Sequence, residues 1–490
     1  MDNRVIYIVY FVFFCLMMIG IGFWGQKERK AGRDKSDVEY FLGGKVTPVI
    51  VMAMSYCAAS VSAGSFIGDP ALISTVGWPY YWFTVFSVPG LVIPGIFLIR
   101  KLRLQSEKYG SLTITDYIGA RFQSDGIKLY MSVVMVICYL FMLVSQYKGA
   151  AILLEMYTGV SFNAGLVIMM VLVVFFVNMG GLRSVAWTSF WQGCFMVVLS
   201  LSLVLVSLIK IGGFTGLESS LAAKAPELLT IYHTGENAVI PWYAIPCIFL
   251  FGFFVMFSQP YISSRYLGLE SIDRKKIGTF LLITLVAGLI FNSMVMMGLA
   301  GRVFFPDAEA DYLTITMSTT FFPPLVSGIM MIGFFSAIIS TASSILLVMG
   351  QSLGKDIFAQ IYKRATPKQV VWVTQASVIL IALFVLLFNY VKTPPLLQIF
   401  VLLSLTGVGS MLAMPLYAGV LWSKARREGV WCSAIAGPAS YLIMTYVFDM
   451  SWAVSMGLCV VPAAIGMFGV SALLNKIVGV DQELYDLSQV

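Results

Sequence analysis

Ser336-Ala337-Ile338-Ile339-Ser340-Thr341-Ala342-Ser343-Ser344 places hydroxyl side chains inside an otherwise apolar run spanning residues 323–354. Such a run is long enough for a bilayer, which a helix crosses in about 20 apolar residues. Ser340 and Ser344 lie one turn apart and Thr341 and Ser344 three residues apart, so their oxygens share a helix face. One face of oxygens without a carboxylate suits a hard monovalent cation. The competing reading is close packing, since small residues and hydroxyls favour tight helix contacts and a serine can bond its own helix backbone. A second stretch, far upstream, favours the ion.

The chain has 490 residues, 59% hydrophobic and 11% charged. Apolar runs recur about thirteen times, near residues 5–24, 46–74, 77–99, 127–156, 162–179, 185–210, 241–264, 277–302, 323–354, 369–391, 395–422, 429–447 and 452–474. The expected fold class is therefore all-α and polytopic, with about thirteen transmembrane helices and the lipid bilayer as a partner. Val5 to Trp24 lacks a small-residue cleavage site and leads into Gln26-Lys27-Glu28-Arg29-Lys30, so it reads as a retained helix rather than a signal peptide. Cys15, Cys57, Cys138, Cys194, Cys247, Cys432 and Cys459 are scattered without CxxC or Cys/His spacing, the pattern of packing residues.

The net charge of +7 reflects topology and not nucleic-acid recognition, because the bases fall in alternate loops. They are Lys27, Arg29, Lys30, Arg33 and Lys35, then Lys101, Arg103 and Lys108, then Arg265 through Lys276, then Lys355, Lys363, Arg364 and Lys368, then Lys424, Arg426 and Arg427. The opposite loops are poor in bases and carry Glu218, Glu227, Asp307, Glu309 and Asp311. Positive charge stays inside, so the N-terminus is expected outside and the C-terminus in the cytoplasm of a plasma membrane. His233 falls in an outer loop, too isolated for imidazole chemistry.

The upstream stretch is the second span, Ala53-Met54-Ser55-Tyr56-Cys57-Ala58-Ala59-Ser60-Val61-Ser62-Ala63-Gly64-Ser65-Phe66-Ile67-Gly68-Asp69-Pro70. Small residues and a late Gly-Asp-Pro are poor material for a continuous helix, so unwinding is expected near its middle. The seventh span breaks similarly at Phe257-Ser258-Gln259-Pro260. Broken helices in matching positions of two five-helix blocks are what an inverted repeat with a mid-membrane site predicts.

Gly180-Gly181-Leu182-Arg183-Ser184-Val185-Ala186-Trp187-Thr188-Ser189-Phe190-Trp191-Gln192 resembles the signature of the sodium/solute symporter family, the relatives of sodium/glucose, sodium/proline and sodium/pantothenate carriers. Tyr40-Phe41-Leu42-Gly43-Gly44 and Ser340-Thr341 with Lys355-Asp356-Ile357 resemble it too, and the likeness covers about Tyr40 to Lys424. It implies a LeuT-type 5+5 inverted-repeat core: an extra helix and loop at 1–45, repeats at 46–211 and 241–423 separated by an outer loop at 212–240, and two further helices with a short tail at 424–490. It also implies a sodium site from the carbonyls of Ala58, Val61 and Ala337 with the hydroxyls of Ser340 and Thr341, Na+ being the coupling ion and no organic cofactor being needed. Some relatives hold a second sodium on serines matching Ser340, Ser343 and Ser344 plus an acid. Ser189 stands in that acid's place, which leaves a remnant and points to one ion.

The solute is expected between Ser60, Ser62 and Ser65 on the second span, Gln146 and Lys148 on the fourth, Phe254, Phe257 and Gln259 on the seventh, and Ser404 and Thr406 on the eleventh. Sugar-carrying relatives have a glutamine at the Ser65 position and a tyrosine near Val255, which counts against a sugar, and the eleventh span, Leu402-Leu403-Ser404-Leu405-Thr406-Gly407-Val408-Gly409, looks more like the pantothenate and monocarboxylate carriers. Proline-like amino-acid and sugar or sialic-acid symport are the alternatives. Asp69 and Lys148 lie inside apolar runs, where an ionised group costs about 2.5–3.5 kcal/mol on insertion scales. Pairing with each other would make an outer lock; otherwise Lys148 holds a solute carboxylate or snorkels across about 12 Å to the outer end. A channel would need pore loops or charged rings and a membrane enzyme would need clustered His, Cys or acids, and neither pattern is found. A proton-coupled or sodium-independent carrier ranks below the symporter, the tail after Lys476 is too short for a signalling domain, and the oligomeric state is left open.

Overall fold

The computed structural model describes residues 3–31, 42–235, 238–391 and 396–488. Tyr40 and Phe41 of the upstream motif, and Arg33 and Lys35 of the first basic loop, lie outside the described residues. Every described element is helical. The first is α1 (Asn3–Ala31). Next come α2 (Val49–Ser60) and α3 (Asp69–Val76), the two limbs of one bent helix, then α4 (Tyr81–Tyr109). A short helix, α5 (Ile114–Arg121), precedes the long α6 (Asp125–Thr158).

The family-like signature begins at a kink between two helices. Gly181 has φ 64° and ψ −157°, which a side chain would strain. It separates α7 (Phe162–Asn178) from α8 (Gly181–Ile211). The second bent helix follows as α9 (Ala244–Leu250) and α10 (Pro260–Leu267), then α11 (Arg274–Asn292). The outer-loop helix α12 (Leu313–Phe321) leads to α13 (Pro324–Gln351), whose apolar window is wholly buried. Hydroxyls on an otherwise apolar membrane helix need protein partners, which lipid does not offer, and α13 has α1, α6, α8 and α14 (Pro367–Val391) as neighbours. The last elements are α15 (Leu397–Leu421), α16 (Arg427–Tyr446), α17 (Trp452–Val478) and the tail helix α18 (Gln482–Ser488).

Among the described residues nine helices are long and apolar enough to cross a membrane, or eleven when each bent pair counts as one. The other two expected spans are α7, which is shorter, and α16, which has 20 residues. Length and composition of the helices thus give fewer spans than the thirteen hydropathy runs.

Both expected breaks are present. The α2/α3 helix bends by 56° and the α9/α10 helix by 44°. The first break is earlier than its proline: Val61 is extended, at φ −106° and ψ 130°. Asp69 and Pro70 instead open α3, where the missing proline N–H costs nothing. Helices α4 and α9/α10 cross at glycines, since a Cβ on Gly90 would stand 1.8 Å from the Gly252 carbonyl oxygen. Backbones that close leave no room for side chains.

Candidate functional site

Unwinding at Val61 strips the last turn of α2 of its onward helix partners, leaving carbonyl oxygens in need of new ones. The face of α13 read from the sequence supplies them. Ser340 Oγ lies 2.8 Å from the Ala58 carbonyl oxygen and 3.0 Å from that of Ala337. Thr341 Oγ1 lies 2.9 Å from the Ala59 oxygen and 2.7 Å from that of Val61. The structure therefore brings together all five residues expected at the sodium site and adds Ala59. All of them are buried.

Each hydroxyl faces two carbonyls but has a single proton to donate. One oxygen in each trio is left against other lone pairs, in a place water does not reach. Such a cluster of neutral oxygens fits a small monovalent cation.

The serines around the break hold its shape. Ser60 Oγ donates to the Cys57 carbonyl at 2.8 Å, Ser62 Oγ accepts from Gly64 N at 3.0 Å, and Ser65 Oγ accepts from Ser62 N at 3.4 Å. Gln146 reaches across from α6 and accepts from Ala63 N at 2.9 Å. These four residues, expected to touch solute, are occupied with the unwound backbone. The second-site serines behave similarly: Ser343 Oγ donates to the Ile339 carbonyl at 2.6 Å and Ser344 Oγ to that of Ser340 at 2.6 Å. Ser189 is buried and its hydroxyl has no hydrogen-bond partner among the described residues.

At the second bend, Gln259 donates to the Val255 and Leu405 carbonyls at 2.9 Å each and accepts from Tyr139 Oη at 3.0 Å. It ties α10 to α6 and α15, and Tyr139 is a partner that apolar periodicity had hidden. Ser404 and Thr406 on α15 are buried, and their hydroxyls have no hydrogen-bond partner among the described residues. Phe257 is buried, its ring stacked on Tyr266 at 5.3 Å. Phe254 instead lines an apolar groove of about 390 Å³ with Met414, Tyr417 and Phe468, away from the polar break.

Asp69 and Lys148 do not pair. Asp69 accepts from Tyr80 Oη, which in turn accepts from Gln398 Nε2 at 3.2 Å. Lys148 is buried rather than snorkelling, and its ammonium is 2.7 Å from Asp311 Oδ2. The two charges belong to different clusters because α3 turns Asp69 toward Tyr80, while the outer-loop segment before α12 brings Asp311 down onto α6. Burial pushes the Asp311 carboxyl above its ordinary range, and the Lys148 ammonium partly pulls it back. Thr314 follows Asp311 and donates to the Phe66 carbonyl at 3.0 Å, so this outer segment contacts the unwound helix too. Alternating charge along the sequence marked Asp311 only as an outer-loop acid. His233 also serves structure: its Nδ1 accepts from Ile240 N at 3.1 Å, and its Nε2 lies 2.9 Å from the Val76 carbonyl oxygen.

Residues 40–437 match the model of the sodium:solute symporter family. The sodium/pantothenate symporter of Haemophilus influenzae is 26% identical over 420 residues, covering 84% of this chain and 86% of that protein. The high-affinity proline transporter of Bacillus subtilis is 24% identical over 439 residues, covering 87% and 89%. Among solved structures, a substrate-bound, outward-open Na+-coupled sialic acid symporter superposes with a TM-score of 0.76 at 19% identity, over 96% of this chain and 98% of that one. That likeness is one of fold and bears out the LeuT-type helical architecture that the family resemblance implies. With the family's model matching most of the chain, the protein belongs to the sodium:solute symporter family and is a multi-pass membrane transporter, not an enzyme.

Proposed function

We propose that the protein couples sodium entry to the uptake of a small organic solute by alternating access, with a carboxylate such as pantothenate or a monocarboxylate as the solute class. The observation that carries this reading is the convergence of the Ser340 and Thr341 hydroxyls on the carbonyls of Ala58, Ala59 and Val61. Oxygens from α2 and α13 make a sodium shell only while the two helices are together. An ion that binds this closed junction better than an open one shifts the population toward it, and a solute preferring the same state is thereby coupled to the ion. One ion is carried per cycle, since Ser189 offers no charge and Ser343 and Ser344 are bonded to their own helix.

The carboxylate class is supported by the likeness to a pantothenate carrier, not by Lys148, whose ammonium is held by Asp311. A proline-like amino acid is the second reading, favoured by the similarity to a proline transporter. The solute in this reading sits beside the two bends, near Ser404, Thr406 and Gln259. In this reading residues 46–211 and 241–423 are the inverted repeats, and the N-terminus is outside and the C-terminus cytoplasmic in the plasma membrane.

A thermal-shift panel of carboxylates, amino acids, sugars and vitamins in sodium or potassium identifies the solute, because a ligand stabilises the state it binds. With that solute, Ser340→Ala/Thr341→Ala is expected to raise the sodium concentration for half-maximal uptake about tenfold or more, the loss of one to two ligands. Unchanged sodium dependence in a well-inserted double variant contradicts the site.

A further inference from the structure

Arg265 on α10 is fully buried and among the largest side chains enclosed in the molecule. Its Nε lies 3.3 Å from Ser55 Oγ, and its Nη1 donates to Ser264 Oγ at 3.1 Å and to the Tyr261 carbonyl. Its Nη2 donates to Ser344 Oγ. All these partners are neutral, and among the described residues no carboxylate pairs with it. A guanidinium withdrawn from water without a counter-ion is costly, and intramembrane charges of that kind mark working positions.

Its two long-range contacts fall on the two helices of the candidate sodium site. Ser55 lies three residues before Ala58 on α2, and Ser344 four residues after Ser340 on α13. Both positions are about one helical turn, some 5 Å, to the same side of the junction. On that side α13 runs on toward Lys355 and α2 begins after the basic first loop. Ser344 donates to the Ser340 carbonyl, and Ser340 lies against the Ala58 carbonyl. Through Ser340, whose carbonyl accepts from Ser344 and whose hydroxyl lies against the Ala58 carbonyl, the guanidinium is connected to the ion's cage.

We propose that Arg265 is an electrostatic gate for sodium, standing across the ion's exit toward the basic face. This rests on the sodium site described above. While α10 is seated, a positive charge lies between the bound ion and that face. The ion's affinity is set lower than the oxygens alone would give, and its departure alone is opposed. Gln259 opens α10 and is bonded to Tyr139 and to the Leu405 carbonyl. A solute that disturbs those bonds acts on the limb carrying the charge, and movement of that limb clears the exit.

A hydrogen-bonding staple would also explain a buried arginine, and charge separates the two roles. Arg265→Gln keeps amide donors and loses the charge; Arg265→Lys keeps the charge. Sodium affinity is read from the thermal stabilisation of purified protein by NaCl against KCl at constant ionic strength. Leak is read from solute-free 22Na+ influx into proteoliposomes. R265Q is expected to bind sodium about tenfold tighter or more, from like charges about 8 Å apart at an effective dielectric constant near 20, and to leak sodium several-fold faster. R265K is expected to return both readouts toward wild type.

Ser344→Ala removes the hydroxyl that accepts from the guanidinium and donates to the Ser340 carbonyl while leaving the charge in place, so it is expected to leave sodium affinity and leak closer to wild type than R265Q does. Wild-type affinity and leak in R265Q, R265K behaving like R265Q, or S344A behaving like R265Q with its charge intact each overturns the gate. If Ser340→Ala/Thr341→Ala abolishes sodium stabilisation while R265Q changes nothing, the gate fails and the site stands. If that double variant retains wild-type stabilisation by sodium, the site reading itself fails.

Discussion

Ser340 and Thr341 were legible because hydroxyls at helical spacing in an apolar run are a local signal, and the carbonyls they meet follow from one prediction, that α2 unwinds. Ala59 was missed because the carbonyls that turn toward α13 are decided by the extended φ and ψ of Val61, which spacing does not reveal. Lys148 shows a different limit. Its cost in an apolar run is readable, but its partner is Asp311, 163 positions away, and no local pattern marks that pairing. Removing one member of a buried ion pair strands the other, at about 3–5 kcal/mol. Lys148→Met is therefore expected to lower the thermal stability of purified protein, and Lys148→Met/Asp311→Leu to regain most of the loss. The single variant carries a pH signature. Burial already holds Asp311 above its ordinary range, and loss of the ammonium lets it rise further. An acid with a raised folded pKa binds its proton more tightly in the native state, so stability falls as pH climbs above the unfolded value near 4. The K148M deficit is therefore expected to shrink as the buffer is acidified from neutrality; a deficit that does not change with pH would separate Asp311 from Lys148.

At the scale of elements, both bent helices were readable, one from a run of small residues and one from Ser258-Gln259-Pro260. Pro70 was the weaker guide, since a proline in the first turn of a helix is compatible with it. Phe254 was assigned to the solute gap by proximity in sequence, yet the bend turns it onto an apolar groove beside α15 and α17. The tail helix α18 had no strong sequence signal at all. Its carbonyls dock on donors from elsewhere: Arg121 Nη1 meets the Leu484 oxygen at 2.9 Å, Tyr109 Oη and Lys108 Nζ meet that of Leu487 at 2.5 and 3.2 Å, and Gln105 Nε2 meets that of Ser488 at 3.3 Å. Arg121 also donates to the Gly419 carbonyl at 3.2 Å, so the tail bridges α4, α5 and the end of α15. Lost hydrogen bonds to charged groups cost about 1.5–3 kcal/mol each. Truncation after Val480 is accordingly expected to give a folded but less thermostable protein, with Arg121→Ala reproducing part of the loss. Equal melting temperatures for the truncated and full chains would show that the tail contributes nothing.

For the whole molecule, hydropathy gave the membrane class and composition excluded soluble and nucleic-acid-binding alternatives. The packing of α1, α6, α8 and α14 around the buried α13 came from the structure. Helix α13 is central because its hydroxyl face, which lipid cannot satisfy, finds partners on unwound α2. The central claim, that one sodium ion occupies the junction of α2 and α13, is tested most directly by equilibrium binding of 22Na+ to purified protein. Wild type is expected to bind one ion per chain, saturably and without competition from K+, and Ser340→Ala/Thr341→Ala to lose that binding while keeping its fold. Two ions per chain, or undiminished binding in the double variant, would contradict it.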